Sequence, residues 1–245
     1  MLAQNHDQVR SIRRWVTDNP ALWEQASKMM CLMLTTLSGT LFVFQGQEIG
    51  MRNPPPYWGS GHFRDIDAEV WARQMKARYP NDPYMEQQAY NGILNVGRDT
   101  TRTPMQWDNS LHAGFTKHKD GPWIDVHPGY RKINVENQVY DEDSVLSFWK
   151  VMILYRKRHN ELFVHGKFKC WNPEHPRLFI YSKESKDGFH AVVVLNFSAE
   201  RQEFDLPHEL LTKKRKPLIL EPSVYPKFER EPGVLKAWEG RVYLI

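Results

Sequence analysis

Gly39-Thr40-Leu41-Phe42-Val43-Phe44-Gln45-Gly46-Gln47-Glu48-Ile49-Gly50 is the stretch on which the fold class turns. Leu41 to Phe44 run without a polar break, and such a short run suits a parallel strand buried on both faces, as in the wall of a barrel. What precedes it reads as helix. Ala21 to Leu37 carries Leu22, Ala26, Met29, Met30, Met33, Leu34 and Leu37 at helical spacing. Asp18, ahead of Asn19-Pro20, is a candidate N-cap, and Gly39 can end the helix. After Gly50 the prolines (Pro54, Pro55, Pro56, Pro80, Pro83) and aromatics (Tyr57, Trp58, Phe63, Trp71) predict a long irregular insert. A further helix is predicted from Asp143 to His159, with Val145, Phe148, Trp149, Met152, Ile153 and Tyr155 as its apolar positions. The order is helix, strand, long excursion, helix.

From Glu161 the texture changes to short β segments. Leu178–Tyr181, His190–Phe197, Gln202–Leu206, Pro217–Leu220 and Arg241–Leu244 are each bounded by Gly, Pro, Asp or Lys signals. So many short strands in so few residues predict an antiparallel sandwich. The expected fold class is therefore α/β plus all-β. Residues 1–160 read as strand–helix segments broken by a long insert. Residues 161–245 read as an antiparallel β-sandwich domain.

Composition narrows the function classes. A net charge of +4 with a pI near 8.9 is too modest to call for a nucleic-acid partner. The basic run Lys213-Lys214-Arg215-Lys216 reads as a solvated loop. No apolar run approaches the roughly 18–20 residues needed to span a bilayer, so no membrane partner is expected. No secretory signal is visible at the start, and the cytoplasm is the default compartment. Cys31 and Cys170 do not make a disulfide framework; Cys31, inside Met29–Leu34, suits a core position. His208-Glu209 has no second histidine at metal-binding spacing, so neither metal nor cofactor is expected.

Three blocks carry the chemistry: Asn5-His6-Asp7-Gln8, Gln45-Gly46-Gln47-Glu48-Ile49-Gly50 and Arg102-Thr103-Pro104-Met105-Gln106-Trp107-Asp108. Alone, Asp7 and His6 would read as a helix cap and a surface histidine. In this order and spacing, the blocks resemble the back half of an α-glucosidase of the α-amylase-type glycoside hydrolase family. The tail Trp238–Leu244 resembles the end of that family's C-terminal β domain. Gln4 stands where close relatives more often have Glu, and Val9 where Pro or Ala is usual.

The resemblance implies that residues 1–160 are the C-terminal part of a (β/α)8 TIM barrel, its last two strand–helix units with a long insert, and it implies residue roles. Asp7 corresponds to the third catalytic carboxylate, a transition-state stabiliser, and His6 to its sugar-binding neighbour. Arg98, first of the pair Arg98-Asp99, corresponds to the arginine that helps grip the non-reducing glucose; Arg102 is expected to be purely structural. Glu48 is expected to brace the barrel rim. Tyr57 and Trp58 are expected to pack within their loop, with the sugar entrance as the alternative.

Retaining glycosidases need a nucleophile and a general acid/base about 5–5.5 Å apart, around an oxocarbenium-like transition state. In the family these lie in a Gly-x-Arg-x-Asp segment and on the following strand, and neither has a counterpart among these 245 residues. The resemblance thus implies a fragment of a retaining, exo-acting α-glucosidase for maltose-, isomaltose- or sucrose-like substrates, inactive in isolation. Its partners would be a small oligosaccharide or α-glucoside and the N-terminal part of the same enzyme. The alternatives are a non-catalytic hydrolase-like partner subunit and a carbohydrate-binding β-sandwich module.

Overall fold

The computed structural model describes residues 2–17, 19–211 and 217–245; Asp18 and the basic run 213–216 lie outside them. In chain order the helices are α1 (Trp23–Thr36), α2 (Ile66–Arg78), α3 (Pro83–Val96), α4 (Val135–Val139), α5 (Val145–Arg158) and α6 (Asn160–Phe163). The strands are β1 (Lys167–Trp171), β2 (Leu178–Glu184), β3 (His190–Asn196), β4 (Gln202–Glu203), β5 (Leu218–Ile219), β6 (Val234–Leu235) and β7 (Gly240–Leu244). Among the described residues no helix is long and apolar enough to cross a membrane.

Two compact units interleave along the chain. One joins Asn19–Phe42 to Ser147–Ile245; the other joins Leu2–Asp18 to Val43–Leu146. The units therefore do not follow the contiguous division expected at residue 160. The physical reason is α1: it packs on β3 and β7, so its apolar surface is covered by the strands rather than by its sequence neighbours.

In the first unit, β1-β2-β3-β7-β5 form an antiparallel sheet. The β2–β3 hairpin sets its register, from Leu178 opposite Asn196 to Glu184 opposite His190. Its turn closes with Gly188 at φ 76, a left-handed position that glycine takes without strain. Ala191 to Leu195 are wholly buried because both faces of β3 are covered. Met29 and Leu32 of α1 approach Gly240 of β7 on one side. On the other, Val192 and Val194 join a cluster with Leu178, Ile180, Phe204, Leu235 and Tyr243. Each such aliphatic burial contributes roughly 1.5–3 kcal/mol. Among the described residues, the second layer of the expected sandwich is the two-stranded ladder β4–β6, and α1 occupies the opposite face. Asn196 is buried, and its Nδ2 donates to the carbonyls of Glu200 and Lys236.

α1 ends where Leu37 turns extended. The last carbonyls of a helix lack intrahelical donors. Here the buried guanidinium of Arg156 donates to the carbonyls of Thr35, Leu37 and Gly39 at 2.8, 2.7 and 2.5 Å.

The expected strand Leu41–Phe44 does not form a ladder. Phe42 is 58% exposed and Val43 is also exposed, whereas a parallel strand needs hydrogen-bonded neighbours and covered faces. The insert after Gly50 is not irregular either. Asp82 caps α3, accepting from the Tyr84 and Met85 amides, with Pro83 in the first turn. Asp65 caps α2. Trp58, Phe63, Ala68, Tyr90, Ile93 and Leu94 form the core between them.

Candidate active site

The three sequence blocks meet in the second unit, around a residue that lies just past the first of them. Arg10 is fully buried and donates to the carbonyl of Gln45 at 3.1 Å and to that of Thr101 at 3.2 Å. Its own N–H donates to Asn53 Oδ1 at 3.1 Å. One cation thereby ties the Asn5–Gln8 segment to the second block and to the residue before the third. Burial lowers its pKa to about 10, with Glu48 opposing. Glu48 itself is raised by burial, and it takes backbone hydrogen bonds from Gly46 and its own amide. The Gln45–Gly50 block is a tight turn: Met51 N–H donates to the Gly46 carbonyl at 2.8 Å, with Gly46 at φ 82. A Cβ on Gly46 would meet Met51 Sδ at 2.3 Å, so glycine is required there.

Asp7 sits on this platform, in a tight turn with a bridge between Asn5 and Gln8. Its N–H donates to Asn5 Oδ1 at 2.9 Å, which fixes the turn. The carboxylate remains 49% exposed. Oδ1 accepts from Arg102 Nη2 at 2.9 Å, and Oδ2 lies 3.2 Å from His6 Nε2. Gln4 is buried, and its Oε1 accepts from the Ser11 amide and hydroxyl at 2.8 and 3.1 Å.

Arg102, expected to be purely structural, is the arginine in direct contact with Asp7. Nε donates to the His6 carbonyl at 2.8 Å and Nη1 reaches Asp99 Oδ1 at 3.3 Å. Asp99 is buried, and its Oδ2 accepts from the amides of Arg64 and Asp65, both at 2.7 Å. The start of α2, Asp99, Arg102 and Asp7 thus form one hydrogen-bonded chain.

Arg98, the expected sugar-gripping residue, pairs with the N-cap of α2. It makes a bidentate bond to Asp65, 2.9 Å from Nε to Oδ2, and a longer one of 3.2 Å to Asp67. That pairing lowers the Asp65 carboxyl below its ordinary range, chiefly through the hydrogen bond from Arg98. The same bond raises the Arg98 guanidinium, and Asp7 is close enough for its charge to contribute. Arg98 is about two-fifths exposed. Trp58 is buried, as loop packing requires, whereas Tyr57 is 74% exposed. Among the described residues no group of three His, Cys, Asp or Glu could hold a metal ion.

A family model for the α-amylase catalytic domain matches residues 1–166. The chain belongs to the α-amylase family. It is 34% identical over 245 residues to an α-glucosidase of Candida albicans, covering 99% of this chain and 41% of that relative. It is 35% identical over 241 residues to an oligo-1,6-glucosidase of Parageobacillus thermoglucosidasius, covering 98% and 41%. Its backbone superposes on the crystal structure of a Bacillus licheniformis trehalose-6-phosphate hydrolase with a TM-score of 0.88, at 27% identity, over 98% of this chain and 42% of that one. The chain thus spans about 41% of the length of these curated relatives. The curated relatives matched in this way are named α-glucosidases and oligo-1,6-glucosidases.

Proposed function

We propose that these residues are the C-terminal portion of a retaining, exo-acting α-glucosidase that removes terminal α-linked glucose from maltose-, isomaltose- or sucrose-like oligosaccharides. Asp7 is the transition-state stabiliser. Its carboxylate accepts hydrogen bonds from ring hydroxyls, and these tighten as the sugar flattens toward the oxocarbenium ion, stabilising the transition state more than the ground state. His6 donates to a neighbouring hydroxyl. Arg102 holds Asp7 in register, and Arg98 closes the far end of the glucose site.

One observation carries the reading: a half-exposed carboxylate gripped at one oxygen by an arginine whose other bonds run to a buried aspartate and a backbone carbonyl. Such preorganisation is costly to build and useful only where charge develops. Proton donation and covalent attack need two further carboxylates that these residues do not include. The 245-residue chain by itself therefore does not hydrolyse p-nitrophenyl α-glucoside. Joined to the N-terminal part of the Parageobacillus oligo-1,6-glucosidase, in place of that enzyme's corresponding segment, it does. Turnover by the purified chain alone, or a folded but inactive chimera, contradicts the proposal.

A further inference from the structure

Tyr57 and Trp58 border a cavity of about 430 Å³ whose far wall is formed by residues between 111 and 130. Its lining combines the aromatic faces of Tyr57, Trp58 and Tyr130 with the carboxylates of Asp120 and Asp125. The polar side is organised. His62 stacks on Trp58 with ring centroids 4.8 Å apart, and its Nδ1 lies 2.5 Å from Asp125 Oδ2.

The rim is held in a strained shape. His112 and Ala113 have φ of 55 and 56, a left-handed conformation that side-chain-bearing residues rarely adopt. The Ala113 carbonyl pins it, accepting from the amides of Trp107 at 2.9 Å and Asp108 at 3.3 Å. Strain of this kind persists only where the surroundings over-determine it. None of the residues lining the cavity belongs to the cluster around Asp7.

The chemistry selects a ligand class. An exposed aromatic face suits the C–H face of a pyranose, and carboxylates accept from sugar hydroxyls. Phosphorylated ligands would meet two negative charges, and a wholly apolar ligand would strip water from both carboxylates with nothing in exchange. A neutral sugar meets both requirements.

We propose that this cavity is a saccharide subsite that binds a glucosyl oligomer independently of Asp7. Only the identity of the sugar rests on the α-glucosidase reading; the site itself does not.

Maltotriose titrated into the full 245-residue chain, followed by tryptophan fluorescence, tests it. Saturable binding is expected, and Tyr57→Ala and Asp125→Asn should each weaken it roughly three- to tenfold. Lys167→Ala, at an exposed position of the edge strand β1, should leave it unchanged. Both cavity substitutions lie at exposed side chains, and near-UV circular dichroism checks that the variants keep the parent's packing. Absence of saturable binding by the parent chain overturns the proposal. So does binding that Asp7→Asn abolishes while Tyr57→Ala and Asp125→Asn do not alter it, a result that would leave the glucosidase reading intact.

Discussion

Arg102 Nη2 lies 2.9 Å from Asp7 Oδ1 while Arg102 Nη1 reaches the buried Asp99. The arginine thus transmits the position of the α2 N-terminus, through the Arg64 and Asp65 amides on Asp99, to an exposed carboxylate. Three fixed donors on one planar group do this; a lysine would offer a point charge and no fork. In the chimeric enzyme Arg102→Lys should lower kcat about tenfold or more with a smaller change in KM, as expected when an orienting contact is lost. Steady-state kinetics on p-nitrophenyl α-glucoside measure this, and an unchanged kcat would show that Arg102 only stitches the loop.

Arg10 makes the converse prediction, about stability rather than rate. Arg10→Met removes the donors for the carbonyls of Gln45 and Thr101 inside a dry core. Leaving them unpaired should cost about 2–4 kcal/mol, seen as a lower urea midpoint. A midpoint within error of the parent would mean that the methionine fills the space and the carbonyls find other donors.

Arg156 serves the other unit in the same way. Arg156→Leu uncovers the carbonyls of Thr35, Leu37 and Gly39 at the end of α1. The expected loss is about 2–3 kcal/mol. Amide exchange should accelerate across α1 and the strands it covers.

His127 supplies a pH dependence. Burial, with help from the charges of Arg52 and Arg10, lowers its pKa to about 4 from 6.5. Its Nδ1 accepts from the Gly129 amide at 2.9 Å, which only the unprotonated nitrogen can do. Because the folded pKa lies below the unfolded one, the unfolded state binds more protons between these values. Stability should therefore fall as pH drops from 6.5 to about 4, by up to roughly 3 kcal/mol. His127→Gln should flatten that part of the urea-midpoint profile; an equally steep profile in the variant would assign the slope to other groups.

The strands most legible in the sequence are those whose burial is simplest. The β3 run reads as continuous apolar because it is covered on both faces, and β2 and β7 lie beside it. β1 escapes because Lys167 and Lys169 alternate along an exposed edge, a common protection against edge pairing that dilutes the apolar signal. α2 escapes because only Ala68 is buried along it, so no helical stripe exists to be seen. α3 announces itself by Asp82-Pro83, but a proline in the first turn looks like a breaker amid so many others. The apolar run Leu41–Phe44 shows the opposite failure: composition alone does not supply the neighbouring strands that a ladder needs.

Within the site, Asp7 and His6 are visible from their motif and do lie together. Arg98 and Arg102 cannot be told apart by sequence, since both precede or open the same block. Their difference arises from Asp65 and Asp99, one presented by a helix cap and the other buried beneath it. Arg10 gives no local signal, because its importance comes from carbonyls far away along the chain.

Asp7→Asn in the chimeric enzyme is the most direct measurement. Asparagine keeps the shape and loses the charge. If Asp7 stabilises the transition state, kcat on p-nitrophenyl α-glucoside should fall about 100-fold or more with the fold intact by circular dichroism. A kcat within about twofold of the parent would contradict that role.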